Sequence, residues 1–397
     1  MNGLMATKKH ILLYNSNEPL PQQGGMERVT DLLAKALLNA GYEVTLLCKY
    51  LNRLGKTYNA PTDILYLPKN DDNRQFLETL IIERNIYCII DQTEGDIIGR
   101  FGIFKHREDL KSKVKLIAVQ HNSTRAILDN YNLVFAKDFT RTRWGILKQF
   151  FYDNVFLKLK YCHSVCLTKK LYEDLNTNYD RIVTLSSSFI EDFCYYYPKA
   201  DKTKLLAIPN LNTFESCEST TAQKHVLFVG RLRNCAKGVD KLLRIWNKVE
   251  ASFADWQLDI VGDGEDRDVL EIQAQDLGLK HVTFHGFQNP ASFYQRSRIF
   301  CMTSIYEGFG MVLTEAMQHG VVPMAFNSYG SVTDIIDDDI NGFLVKPFDE
   351  KEYADKLVVL MSNEDKYTKM SRAAMTKSVT FSKEIIVEKW CNLVENL

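Results

Sequence analysis

His225-Val-Leu-Phe-Val-Gly230 runs directly into Arg231-Leu-Arg-Asn-Cys-Ala-Lys237-Gly238. Beyond it Val239, Leu242, Leu243, Trp246 and Val249 recur at three- and four-residue steps, before a second apolar run at 256–261. A four-residue apolar run closed by glycine is too short for a helix and reads as a buried strand, whereas the spacing after Gly238 puts five apolar side chains on one helical face. Strand, amphipathic helix and strand in about forty residues make a βαβ unit, the connection that parallel strands require.

The same rhythm extends in both directions. Toward the C-terminus strands are expected at 282–284, 299–302, 321–326 and 342–345, with helices near 265–277 and 310–319. Toward the N-terminus they are expected at 10–14, 43–48, 63–67, 87–91, 115–121, 181–186 and 205–209. The rhythm breaks only at 212–224 (NTFESCESTTAQK), which is polar and lacks an apolar face. The expected fold class is therefore α/β, with two doubly wound, Rossmann-like domains. Residues 1–211 form the first, 212–224 a linker and 225–380 the second. A closing helix at 381–397 carries its own apolar stripe of Ile385, Ile386, Trp390 and Val394 and is free to cross back to the first domain. Doubly wound sheets bind ligands beyond the carboxyl ends of their strands, so two of them facing each other make one cleft.

Bulk composition bounds the function. At 397 residues the chain is too long for one ordinary core. A net charge of -1 with 25% charged residues gives no pull toward polyanions, which argues against a nucleic-acid partner. The apolar run after Lys8 and Lys9 is too short for an export signal, and no run is long enough to span a bilayer, so a cytoplasmic location is expected. Nine scattered cysteines read as buried reduced thiols. Cys162, His163 and Cys166 match no zinc spacing and lie in an apolar run that reads as a half-buried strand. Two acidic clusters, Asp337-Asp338-Asp339 and Asp263, Glu265, Asp266 and Asp268, lack calcium-loop spacing and read as solvated turns, so no metal is expected.

Four stretches carry chemistry. Arg231 and Lys237 put two cations and a glycine where a helix begins, a setting that favours phosphate; the loop lacks the spacing of an NTPase phosphate loop. Ser304-Ile-Tyr-Glu307-Gly308-Phe309-Gly310-Met311-Val312-Leu-Thr-Glu315 sets two carboxylates across a glycine-rich strand-to-helix turn. Both can face one cleft mouth, where acceptor-only groups suit a polyhydroxyl ligand. Gly24-Gly25, at the start of the first helix, allows unusual backbone angles and exposed amides. His121, closing strand 115–121, stands where cleft-facing residues of such a sheet emerge.

Together these stretches resemble the retaining glycosyltransferases of family 4, which have the GT-B fold and include enzymes of bacterial cell-surface polysaccharide assembly such as capsule and lipopolysaccharide. The resemblance covers nearly the whole chain, through VLFVGRL (226–232), KGVDKLL (237–243), DIVGDGE (259–265), VTFHGF (282–287), YEGFGMVLTEAM (306–317), NGFLV (341–345), GGMERV (24–29) and IPN (208–210). Glu307 and Glu315 match the family's E-x7-E element. The resemblance implies that Arg231 and Lys237 bind a donor diphosphate and that Glu315 takes the ribose hydroxyls. Glu307 would hold the transferred sugar with the backbone amides of Phe309, Gly310, Met311 and Val312. It further implies that Gly24 and Gly25 close over the phosphates and acceptor and that His121 lies beside the anomeric centre. The implied reaction is metal-independent transfer of a hexose or N-acetylhexosamine from a UDP- or GDP-sugar, UDP favoured, to a glycan or lipid-linked glycan, with no separate cofactor.

Between Lys137 and Lys160, cations (Arg141, Arg143, Lys148, Lys158) are interleaved with Phe139, Trp144, Phe150, Phe151, Tyr152 and Phe156. This mixture suits a helix lying on the inner face of a membrane; the alternative, which composition favours slightly, is an ordinary amphipathic helix of the first domain. Two rival functions fit a nucleotide-sugar cleft: an epimerase, which would turn over donor without acceptor, and a non-catalytic nucleotide-sugar-binding subunit.

Overall fold

The computed structural model describes residues 8–69, 73–104, 107–135, 148–214 and 222–397. The expectations for Lys137, Phe139, Arg141, Arg143 and Trp144, and for 215–221 of the polar junction, fall outside these residues.

Near-continuous aliphatic runs become parallel strands. In the first sheet these are β1 (His10–Asn17), β2 (Glu43–Tyr50), β3 (Ile64–Tyr66), β4 (Ile86–Asp91), β5 (Lys115–Gln120), β6 (Arg181–Thr184) and β7 (Leu205–Ala207). The second sheet holds β8 (His225–Val229), β9 (Gln257–Val261), β10 (Val282–Gly286), β11 (Ile299–Met302), β12 (Val322–Phe326) and β13 (Phe343–Val345). The spatial orders are β3-β2-β1-β4-β5-β6-β7 and β10-β9-β8-β11-β12-β13, parallel throughout. Each sheet thus reverses direction once, between β1 and β4 and between β8 and β11. Such switch points are where doubly wound sheets open a crevice at their carboxyl ends.

The helix Val239–Val249 buries Val239, Leu242, Leu243, Trp246 and Val249, the five positions its periodicity marks, against Val226, Leu258 and Ile260 of the second sheet. The closing helix Lys383–Glu395 buries Ile386, Trp390, Leu393 and Val394. Lys9 Nζ and the Tyr42 hydroxyl, both 2.8 Å from the Glu395 carboxylate, clip its end to the first sheet's neighbourhood.

Contacts divide the described residues into two units. One comprises residues up to His121, Leu167–Leu211 and Lys383–Leu397; the other comprises Asn122–Cys166 and Asn212–Ser382. Residues 122–166 thus group with the second sheet, although sequence order assigned them to the first domain. One physical reason is Asn130, whose side-chain amide donates to the carbonyls of Ile305 (3.3 Å) and Ser328 (3.4 Å).

Two expectations are corrected. Cys162, His163 and Cys166 lie in the helix Leu157–Asn178, not in a strand. Its buried positions, Leu157, Thr168, Tyr172 and Leu175, keep helical spacing, and this outweighs the local strand propensity of Val165. The thiols are not uniformly buried either: Cys48, Cys88 and Cys301 are, whereas Cys162 and Cys166 are exposed.

Trp246 is wholly buried, so Trp246→Ala should lower the stability of the second unit by about 3–5 kcal/mol, read as a shift of its urea midpoint.

Candidate active site

The two loops that leave β8 and β11 at the switch point of the second sheet are stitched together by one backbone bond and one side-chain hydroxyl. Ile305 N–H donates to Ala236 O (2.7 Å), and the Thr303 hydroxyl donates to Lys237 O (3.1 Å). Gly238 closes the short helix Asn234–Lys237 at φ +59, and a Cβ there would meet Thr303 O at 2.4 Å. No side chain fits that approach, which is why glycine stands at the foot of the next helix. Asp266 holds the other end of the loop, accepting the Asn234 N–H at 2.6 Å.

This stitching brings Lys237 and Glu307 into a direct ion pair, both half-buried. The Ser304 hydroxyl also donates to Glu307 Oε1, at 2.6 Å. The turn that carries Glu307 is buttressed from the loop after β12. Ser328 Oγ donates to Ser304 O (2.7 Å), and Ser331 Oγ to Gly308 O (2.8 Å) and Phe309 O (3.1 Å). Gly310, at φ +89, then turns the chain into the helix Met311–Gln318, whose first turn includes Met311 and Val312. Phe309 is buried against Phe381, leaving its backbone as its polar contribution.

Arg231 is exposed and forms no ion pair among the described residues, so its charge is available to a ligand at the mouth of this loop. Glu315 differs from Glu307. It is only 1% exposed, and its carboxylate accepts the Thr213 hydroxyl (2.6 Å) and the Tyr294 hydroxyl (3.0 Å). Tyr294 in turn stacks on His319, with centroids 5.5 Å apart. The buried carboxylate is thus bonded to two hydroxyls, the chemistry that a pair of sugar hydroxyls would supply.

Gly24 and His121 belong to the first unit. Gly24 caps the helix Gly25–Asn39 in extended backbone, φ 177, so the unusual backbone angle expected there is absent and any residue could adopt that φ. A Cβ on it would meet only the mobile end of Glu27. His121 follows β5 and is buried, its Nε2 2.6 Å from Gln92 Oε1. Burial pushes its pKa down to about 4, so the ring is neutral near pH 7.

The acidic clusters are tied up in turns, apart from Asp268, which lies in the first turn of the helix Arg267–Asp276. Asp337 pairs with Lys377 (3.0 Å) and Asp339 with Lys366 (2.5 Å), while Asp338 accepts the Leu344 N–H (2.8 Å) and Arg267 lies 3.7 Å from Asp263. Among the described residues no cluster of three or more His, Cys, Asp or Glu side chains is arranged to hold a metal. Sequence inspection missed Ser304, Thr213, Tyr294 and Gln92. Only Ser304, three residues before Glu307, left a local trace; the others act on carboxylate or imidazole partners 21 to 102 positions away.

Residues 212–377 match the family described as Glycosyl transferases group 1. An uncharacterised glycosyltransferase of Haemophilus influenzae is 32% identical over 218 residues, 54% of this chain and 61% of that protein. The GalNAc-alpha-(1->4)-GalNAc-alpha-(1->3)-diNAcBac-PP-undecaprenol alpha-1,4-N-acetyl-D-galactosaminyltransferase of Campylobacter jejuni is 29% identical, over 54% of this chain and 60% of that protein. The chain therefore spans about three fifths of these relatives' length. Anabaena HepE, solved in complex with UDP and glucose, shares the fold with a TM-score of 0.72. That match covers 98% of this chain and 100% of the other at 16% identity. The two parallel α/β sheets are those of the GT-B fold.

The buried neutral His121 has a consequence for stability. A ring whose folded pKa lies below its ordinary 6.5 favours folding above that value, and the contribution is lost as pH falls from 6.5 through about 4. His121→Asn should flatten the loss of stability between those two pH values by on the order of 3 kcal/mol, measured by urea unfolding at each pH.

Proposed function

We propose, for a chain whose residues 212–377 match the group 1 glycosyl transferases, that it is a retaining, metal-independent hexosyltransferase. It moves a hexose or N-acetylhexosamine from a UDP- or GDP-sugar, UDP favoured, to a hydroxyl of a glycan acceptor, in particular a lipid-linked glycan of cell-surface polysaccharide synthesis. The observation that carries this reading is the Lys237–Glu307 pair, held with Ser304 at the switch point of the second sheet. HepE, which shares the fold, was solved with UDP and glucose, and the Campylobacter relative is named for an undecaprenol-linked acceptor; both support the choice of substrates.

In this reaction the bond between C1 of the sugar and the diphosphate oxygen breaks, and negative charge accumulates on the leaving phosphate. Lys237 stands ready with a full positive charge, kept in place by Glu307 before any ligand arrives, and Arg231 adds a second cation from the exposed side of the loop. Charge stabilisation by groups already in position needs little reorganisation at the moment of reaction. Glu307, an acceptor-only group, takes hydroxyls of the transferred sugar, assisted by the amides of Phe309–Val312 at the helix start. Glu315 takes the ribose hydroxyls, which exchange for those of Thr213 and Tyr294. The acceptor oxygen bonds to C1 on the face the diphosphate leaves, and its proton passes to the departing phosphate oxygen, so configuration is retained without a second carboxylate. Gly24 and Gly25 are proposed to bind phosphate or acceptor, and His121 a sugar hydroxyl.

The acceptor's lipid gives meaning to a second feature. Phe150, Phe151 and Leu159 are 60%, 61% and 67% exposed, with Lys148 and Lys158 among them. Aromatic and aliphatic side chains left in water beside cations suit the interface of an anionic bilayer. Among the described residues no helix is long and apolar enough to cross a membrane, and we assign this stretch to peripheral docking on the cytoplasmic face.

Incubating the enzyme with a panel of UDP- and GDP-sugars should reveal slow hydrolysis of one donor and faster turnover once an acceptor glycan is added. Lys237→Ala and Glu307→Ala should each lower that turnover at least about a hundredfold with an unchanged unfolding midpoint; near-normal activity in either removes its assigned role. The Phe150→Ser, Phe151→Ser double variant should release the protein from anionic vesicles in co-sedimentation while leaving donor hydrolysis intact, and undiminished binding would reject the docking surface.

A further inference from the structure

One loop grips His121 twice. Residues 92–97 follow β4 at the switch point of the first sheet. From this loop Glu94 Oε1 accepts the His121 backbone N–H at 2.9 Å, while Gln92 Oε1 lies 2.6 Å from the ring Nε2. The shape of the loop is set by the buried carboxylate of Asp91. It accepts the Thr93 N–H (2.8 Å), the Thr93 hydroxyl (2.5 Å), the Ile97 N–H (3.1 Å) and the Tyr179 hydroxyl (2.7 Å). Within it Glu94 stands at φ +62, a left-handed conformation that a residue with a Cβ adopts at a cost of order 1 kcal/mol. Surrounding structure thus imposes a strained backbone at the residue that holds His121.

The contact to the ring has a chemical consequence. An amide oxygen cannot donate, so its 2.6 Å approach to Nε2 requires the proton to sit on that nitrogen. In a neutral ring Nδ1 then carries the lone pair, and it has no partner among the described residues. Gln92 is itself 1% exposed, and its amide nitrogen is buried without a partner, so the position tolerates an unsatisfied donor in order to present its oxygen. Gln92 and His121 share a small pocket with Val29, Leu33, Asn210 and Trp390, a mostly apolar setting.

We propose that Gln92 is a positioning residue for glycosyl transfer: by keeping the His121 proton on Nε2, it leaves Nδ1 as a hydrogen-bond acceptor for a sugar hydroxyl. The inference rests on the reading of the chain as a glycosyltransferase with His121 at its reacting centre. A sugar hydroxyl that donates to Nδ1 is oriented, with its oxygen lone pairs turned outward. A ring with the opposite tautomer, or a charged ring, would present N–H there and repel that arrangement. The ionisable groups near the ring are the carboxylates of this same loop. Glu94 is turned to the His121 backbone, and Asp91 is enclosed by its four donors. Burial, with no charge to offset it, holds the ring neutral.

Gln92→Glu keeps the shape of the side chain and replaces the amide oxygen with a carboxylate, which favours the charged ring. Nitrogen-15 histidine NMR of the full-length wild type should show a neutral Nε2–H ring between about pH 5 and 8, and in Gln92→Glu a ring that protonates at least about one pH unit higher than in the wild type. Because protonation removes the acceptor at Nδ1, transfer by Gln92→Glu should fall as pH drops through that raised value, a limb absent from the wild-type profile. Gln92→Met, of similar volume and with no acceptor, guards against a variant that fails to fold. Its ring, with no acceptor fixing the proton, should show a mixture of the Nε2–H and Nδ1–H tautomers in place of the single Nε2–H form, and its kcat should fall about tenfold with KM changed less than about twofold. An unchanged ring titration and tautomer in both variants would overturn the inference while leaving glycosyl transfer itself intact. A moved titration with an unmoved pH profile would overturn it by removing His121 from the reacting centre. Absence of transfer by the wild type with every donor would instead reject the underlying function.

Discussion

The stitch between the loops after β8 and β11 is the constraint on which the candidate site depends. Two strands that are neighbours in space, but seventy residues apart in sequence, deliver their loops side by side. Ile305 and Thr303 then bond to the carbonyls of Ala236 and Lys237. The Ile305–Ala236 bond is made by main chain and holds whatever the side chains do, whereas the second bond needs the Thr303 hydroxyl. The Lys237 and Glu307 side chains are carried into contact as a consequence. Close approach at Gly238 makes the stitch possible, since any larger residue would press on Thr303 O. A half-buried ion pair of this kind adds little stability by itself, because desolvation offsets much of the attraction. Its value lies in placement: an ammonium and a carboxylate are presented together in a crevice that the sheet reversal opens.

The two glutamates of the E-x7-E element are physically unlike. Glu307 lies in a turn braced by three serines, paired with a cation and partly open to solvent. Glu315 is enclosed inside its helix, bonded to hydroxyls from Thr213 and Tyr294. One carboxylate therefore stands in a charged, wet environment and the other in a buried one where each hydrogen bond counts for more. The difference fits one ligand with a charged, hydrated end and a hydroxyl-bearing end that becomes buried. In the first unit, buried polar groups are organised by a different device: Asp91 shapes a loop, and that loop fixes the backbone and ring of His121.

Strand positions and the helix at Val239 were legible in the sequence because they follow from short-range pattern. A strand of a parallel sheet is buried on both faces and must be apolar along its length; a covering helix must be apolar at three- and four-residue steps. The turns that carry Lys237 and Glu307 were also legible, since a cation or carboxylate beside a glycine at a strand-to-helix turn is a local feature. Tertiary structure alone decided the rest. Residues 161–167 look like a strand by composition and are helical because the helix Leu157–Asn178 buries positions on both sides of them. Residues 122–166 group with the second sheet through Asn130, whose partners at Ile305 and Ser328 lie 175 and 198 positions away. The partners of Glu315 and of the His121 ring are likewise invisible to any local rule. A hydrogen bond fixes a distance of about 3 Å in space and leaves no periodic mark along the chain, whereas burial of an element repeats with the period of that element.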